Sequence, residues 1–272
     1  MSVDPVAFRL GPLAVRWYGI CVALGFVAGF VLIERRARRR GIAREAVSDL
    51  VLSAMVGGIL GARALYVLQN WRDYAASPLD IIRIDQGGLV FFGGLLGGTA
   101  AVWLATRVKG LRPGDVADLC APALGLGHAI GRVGCYLNGC CFGHAWNGPL
   151  ALRYPPDSGV IEAQVRNGEL PLGAAAALPA FPLQLVESAA NLIICAVLLA
   201  LERRMKRPGQ LLFLYAALYG IARFLVEFGR ADYESRLGPF TPAQVVSLLL
   251  VPAGLAAFLW LQYRRRPATP AP

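Results

Sequence analysis

Charge is scarce in this chain. Only 16% of its 272 residues are Asp, Glu, Lys or Arg, where a soluble domain would carry about 25%. With 56% hydrophobic residues and a mean hydropathy of +0.53, that shortage excludes a water-soluble enzyme. It points to an all-α integral membrane protein. No polar block is long enough to build its own core, so residues 1–272 read as one polytopic domain. Internal repeats, common in transporters, are absent. A signal-peptide cleavage pattern is absent too. The first apolar run, Trp17–Ile33, has no small-residue site behind it and is followed by ERRARRR, so it is expected to remain as a helix. Histidine is nearly missing, with only His128 and His144.

What the chain does have is long apolar runs. Seven stretches have the length that about 30 Å of hydrocarbon demands at about 1.5 Å per residue. They are Trp17–Ile33, Leu50–Leu68, Gly88–Thr106, Leu119–Leu137, Leu183–Leu201, Gln210–Phe228 and Ala243–Leu261. The net charge of +10 would suit nucleic acid, but the basic residues sit in short loops between spans, where they orient a membrane protein. Arg35, Arg36, Arg38, Arg39, Arg40 and Arg44 fill the first loop. Arg107, Lys109 and Arg112 fill the third, and Arg203, Arg204, Lys206 and Arg207 the fifth. Arg264, Arg265 and Arg266 lie near the C-terminus. Seven spans put all four groups on one side, with the N-terminus outside and the C-terminus cytoplasmic.

Two connections are more than turns. Gln69–Gly87, with Trp71, Tyr74, Pro78 and Ile81–Ile84, is expected at the membrane interface. Asn138–Pro182 is rich in Gly, Ala and Pro, contains Tyr154, Pro155 and Pro156, and is expected to form a small periplasmic cap over residues 138–182. Glycines at helical spacing (Gly57, Gly58, Gly61; Gly93, Gly94, Gly97, Gly98; Gly125, Gly127, Gly131) read as close helix contacts.

The stretch Gly127–Gly143, GHAIGRVGCYLNGCCFG, organises the rest. It brings Arg132 to the end of an apolar span beside glycine and hydrogen-bonding side chains, an arrangement suited to an anion arriving from the bilayer. Arg63, Glu187, Arg223 and Glu227 also fall in spans, where an ionisable group is a functional candidate. For Arg63 and Glu187 the alternative is a structural Arg–Glu pair. Tyr219, Arg223 and Glu227 stand at i, i+4 and i+8, on one helical face, so Glu227 can fix Arg223. Arg132 and Arg223 both lie towards the outer ends of their spans. Two guanidiniums at one depth make a fork for a phosphate. Tyr18 is either an interfacial aromatic or a hydroxyl of the same pocket.

Six cysteines are present. Cys21 and Cys195 read as core residues. Cys135, Cys140, Cys141 and His144 number four potential zinc or iron–sulfur ligands, but C-x4-C-C-x2-H matches no standard site. The other readings are a Cys135–Cys140 disulfide at an oxidising outer face, unpaired packing residues, and a nucleophile.

GRVGCYLNGCCFG resembles the GRxGNFxNGExxG signature of the bacterial prolipoprotein diacylglyceryl transferases. The resemblance extends through LGPLAVRWYGI, LGARALYV, GGLVFFGGLLGG, DLCAPALGLGHAIGR, FPLQLVE (family HPSQLYE) and YGIARFLVEFGR (family YGxxRxxxEFxR), in the same order. It implies a seven-span enzyme of the bacterial inner membrane whose active site faces the outer leaflet. That enzyme moves the diacylglyceryl group of phosphatidylglycerol onto the lipobox cysteine in the signal peptide of a preprolipoprotein, and releases glycerol-1-phosphate. The implied partners are these substrates and membrane lipids, without nucleic acid, cofactor or metal. The family's two essential arginines fall on Arg132 and Arg223. Its other site residues fall on Tyr18, Asn138, Gly143, Tyr219, Arg230 and Glu227, the last behind Arg223; Arg63, ionisable within the second span, is read as a further substrate-binding residue. This chain departs from the pattern at Phe92 and Phe181, where the family has histidine, and at Cys135 and Cys140, where it has asparagine and glutamate. Those departures motivate one rival, a paralogue with another acceptor. Cys140-Cys141 motivates a second, a membrane thiol oxidoreductase. Arg63, Arg132 and Arg223 along one path would suit a third, an anion transporter.

Overall fold

The structure is a computed structural model that describes residues 4–11, 13–75, 78–83, 87–155, 159–232 and 237–263. Of the positions singled out above, Pro12, Ile84, Pro156 and Arg264, Arg265 and Arg266 lie outside them. The described elements are a hairpin of β1 (Val6–Leu10) and β2 (Leu13–Arg16), followed by helices α1 (Trp17–Arg38), α2 (Arg44–Gln69), α3 (Trp71–Ala75), α4 (Phe91–Val108), α5 (Pro113–Asn138), α6 (Val160–Arg166), α7 (Leu183–Leu201), α8 (Gln210–Glu227) and α9 (Pro242–Tyr263).

Six of these helices, α1, α2, α4, α7, α8 and α9, are long and apolar enough to cross a membrane. Each contains or closely tracks one expected span. They carry leucines and isoleucines such as Leu96, Ile193, Leu225 and Leu249 that are more than half exposed, a surface suited to lipid rather than water. The remaining expected span, Leu119–Leu137, lies within α5. That helix has 26 residues, long enough to span, but Asp115, Asp118, His128, Arg132 and Asn138 dilute its apolar character.

The chain divides into two compact units, Met1–Gly29 with Cys120–Pro272, and Phe30–Leu119. In the second, α2 packs on α4. The seam is bare backbone: a Cβ on Gly61 would run into the Gly93 carbonyl, and one on Gly97 into that of Gly57. At the other end of this unit Ala37, Val47 and Leu119 form a small core. Arg36, expected as a loop charge, is instead buried there and donates to the carbonyls of Leu119 (2.6 Å) and Asp118 (2.9 Å).

In the first unit α7 packs on α8 and α8 on α9, around Ala121, Ile194, Leu198 and Leu211. Ser188 on α7 donates to the Ala129 carbonyl of α5 (2.8 Å). The described residues of the expected cap, 138–155 and 159–182, contribute to a further hydrophobic cluster. Phe142, Leu152, Tyr154, Val160, Ala163, Ala177, Ala180 and Ala231 form it. Gln164, fully buried on α6, ties Leu178 through both its amide nitrogen and its oxygen (3.0 and 2.9 Å).

Candidate functional site

The candidate site lies in the first unit, where the ends of α1, α5, α7 and α8 meet residues 138–143 and 230–232. Helix α5 presents Arg132 there. Gly134, two residues on, lets α1 come close: a Cβ at that position would stand 2.8 Å from the Cys21 Cβ and 3.3 Å from the Tyr18 Cα. This contact sets the half-exposed Tyr18 at the start of α1 beside the signature stretch. Tyr18 is within electrostatic reach of Arg132 and of Cys135, Cys140 and Cys141.

Arg132 is held on three sides. Its Nη2 lies 3.0 Å from Oε1 of Glu187, a buried carboxylate on α7. Its Nε donates to Nε2 of His128, one turn earlier (3.1 Å), and its Nη1 faces the Cys135 sulfur at 3.9 Å. The histidine ring also lies 3.7 Å from Glu187 and stacks obliquely on Tyr219, centroids 5.2 Å apart.

Helix α8 supplies the second cation. Arg223 is buried, its Nη2 2.7 Å from Oε2 of Glu227 one turn on, as the i, i+4 spacing requires. Oε1 of Glu227 accepts from the Thr241 hydroxyl (2.7 Å). The Arg223 Nη1 is buried without a hydrogen-bond partner among the described residues. Tyr219, one turn before Arg223, is within electrostatic reach of Arg132, Arg223, Arg230 and Glu187 together.

After α8 the chain turns and laces into the root of the cap. Gly143 donates to the Phe181 carbonyl (3.0 Å) and pairs with Arg230, and Ala231 donates to the Phe142 carbonyl (3.1 Å). A Cβ on Gly143 would press on Phe181 Cβ (3.0 Å) and the Gly229 carbonyl (3.1 Å), so glycine suits this crossing. Arg230 makes a bidentate contact with Asp232 (2.9 and 2.8 Å). Burial opposes its charge, but Asp232 and Cys141 outweigh that and hold the guanidinium above its ordinary range. Asn138, the last residue of α5, points its amide at the Cys140 sulfur (3.9 Å).

Seven of the eight candidate contact residues thus belong to this unit, with Glu227 behind Arg223. Arg63 belongs to the other unit. Its guanidinium donates to the carbonyls of Ile81 (2.7 Å), Asp80 (2.6 Å), Gly87 (2.9 Å) and Gly88 (3.1 Å) and lies over Tyr66 and Tyr74. It staples the connection between α2 and α4. The Arg–Glu pair considered for Glu187 forms, with Arg132 as its cation. Of the readings open for the cysteine cluster, the Cys135–Cys140 disulfide is not formed: all six cysteines are free. Sequence reasoning also left out His128, Asp232 and Thr241. The His128–Arg132 spacing of one helical turn was a usable signal, whereas Asp232 and Thr241 act from turns whose geometry no periodicity reveals.

The chain matches the family model described as prolipoprotein diacylglyceryl transferase over residues 5–260. It is 36% identical to the phosphatidylglycerol–prolipoprotein diacylglyceryl transferase of Trichormus variabilis, over 98% of this chain and 92% of that one. The enzymes of the same name from Geobacter sulfurreducens and Staphylococcus aureus are 34% and 32% identical, over 97% of this chain and 97% and 91% of theirs. With a match that runs through both units and every element carrying the paired arginines, this chain belongs to the prolipoprotein diacylglyceryl transferase family.

Proposed function

We propose that this protein transfers the diacylglyceryl group of phosphatidylglycerol to the lipobox cysteine of preprolipoproteins and releases glycerol-1-phosphate, the first step of lipoprotein maturation. The names of its relatives support the reaction. One observation carries the assignment of the site: Arg223 keeps a buried, unpartnered guanidinium nitrogen in the region that Arg132 also reaches. A lipid phosphate there would complete both.

The chemistry follows from the charges. The acceptor sulfur attacks the glycerol carbon that bears the phosphate. A C–S bond forms, the C–O bond breaks, and its electron pair leaves on the phosphate oxygen. Arg132 and Arg223 bind the phosphate and stabilise the charge that grows on it, an effect strengthened in a site poor in water. The same cations favour the thiolate form of the incoming cysteine. Glu187 and Glu227 fix the orientation of the two guanidiniums, and Arg223 keeps its Nη1 for the ligand. Tyr18, Asn138 and Tyr219 hold headgroup or ester oxygens, and Gly143 and Arg230 shape the wall under the cap. Arg63 acts through the connection it staples.

Placing the reaction requires α5 to be the fourth of seven spans. The arginine-rich segments at 35–44, 107–112, 203–207 and 264–266 then share the cytoplasmic side. The N-terminus, the cap and both arginines then face the outer leaflet of a bacterial inner membrane. The test is transfer from phosphatidylglycerol to a lipobox peptide by purified protein, read as a mass increase of the peptide. Arg223→Ala and Arg132→Lys should lower the rate by at least about a hundredfold with the fold retained. A normal rate from folded Arg223→Ala protein would overturn the assignment.

A further inference from the structure

Three of the six free thiols lie together. Cys135 sits in the last turn of α5, and Cys140 and Cys141 follow the turn at Gly139. Their sulfurs all lie within 4.8 Å of one another, and none is in a disulfide. The surrounding chain holds them so. Cys141 has a left-handed backbone, φ 62°, which few residues other than glycine adopt. The Asp232 carboxylate fixes its N–H at 3.2 Å. Donors face the sulfurs: Arg132 towards Cys135 and Asn138 towards Cys140, each at 3.9 Å.

Three thiols this close can give up their protons in exchange for one soft cation set between them. Thiolates are the ligands of soft ions such as zinc and copper(I). Metal–sulfur bonds of about 2.3 Å place the sulfurs of a tetrahedral site about 3.8 Å apart, within a small side-chain adjustment of this cluster. A divalent ion on three thiolates carries one net negative charge, and the Arg132 guanidinium faces it at Cys135. Three protein ligands leave a tetrahedral ion one open position.

We propose that Cys135, Cys140 and Cys141 bind a thiophilic divalent metal ion whose open position takes the acceptor cysteine as a thiolate. The second half rests on the transferase reading. A thiol on such an ion gives up its proton, here to water. The bound sulfur then attacks the glyceryl carbon as the C–O bond breaks towards the phosphate, and the neutral thioether, a weak ligand, departs. This supplies an activated nucleophile at the candidate site.

The test is titration of detergent-purified, metal-stripped protein with cobalt(II), alongside transfer assays before and after adding zinc. Expected are one cobalt per chain, a thiolate-to-cobalt charge-transfer band, and displacement of cobalt by zinc. Affinity should fall by more than about tenfold in each of Cys135→Ser, Cys140→Ser and Cys141→Ser, but not in Cys120→Ser. Absence of the band in the wild type, or its persistence in all three variants, overturns the metal site whatever those variants do to folding. A transfer rate unchanged by stripping overturns the role in thiol activation. Cobalt binding as expected with no transfer in either state would leave the metal site standing and overturn the transferase reading instead.

Discussion

Arg223 brings to the site a charge, a fixed orientation and an unpaired donor. A buried donor without a partner costs about 1–3 kcal/mol, and more when charged, so a ligand that supplies the partner gains that much over water. The orientation comes from Glu227, itself gripped by Thr241. Glu227→Gln should therefore lower kcat/KM by about tenfold or more, and Thr241→Ala by less, with steady-state transfer kinetics as the check. Arg132 depends in the same way on Glu187. Removing one partner of a buried ion pair costs about 3 kcal/mol or more, so Glu187→Gln should lower the thermal midpoint in detergent as well as the rate. The Tyr219–Arg223–Glu227 face was legible in the sequence because helical spacing alone creates it. The Arg132–Glu187 pair was only half legible. A carboxylate in an apolar run needs a cation, but which helix supplies it is decided by tertiary packing. Arg63 resembled a lipid contact for the same reason. The four carbonyls that hold it lie 17 to 25 residues away, in a connection with no readable periodicity.

The helices are assembled through small residues. Gly61 meets Gly93 and Gly97 across the α2–α4 seam, while Gly131 on α5 has open space at its Cβ position. Gly61→Ala should destabilise the protein by about 1–3 kcal/mol, whereas Gly131→Ala should leave it unchanged or raise its stability slightly. Paired thermal unfolding of the two variants checks this. These seams were legible as glycines three or four apart, and the apolar runs located all the long helices to within a turn or two. The hairpin β1–β2 and helix α6 were not, since strands of five and four residues and a helix of seven are too short to carry a period. Nor was the cap core. It draws Ala231 from the turn beyond α8 against Phe142 and Leu152, a long-range contact with no local trace.

At the scale of the whole molecule, the proposed topology takes its direction across the membrane from the positions of basic residues. The exposed cap residue Leu172 and the exposed loop residue Arg112 should lie on opposite sides. In intact cells, Leu172→Cys should react with an impermeant maleimide above the background of native cysteines, and Arg112→Cys only after permeabilisation. The reverse pattern would turn the active site to the wrong leaflet. The structure of the protein with phosphatidylglycerol, in lipid nanodiscs and resolved well enough to place its phosphorus, tests most directly whether two cations share one headgroup. The phosphate oxygens should lie about 3 Å from the guanidinium nitrogens of both Arg132 and Arg223, with Glu187 and Glu227 still behind them. A headgroup bound through only one of these arginines, or through neither, would contradict it.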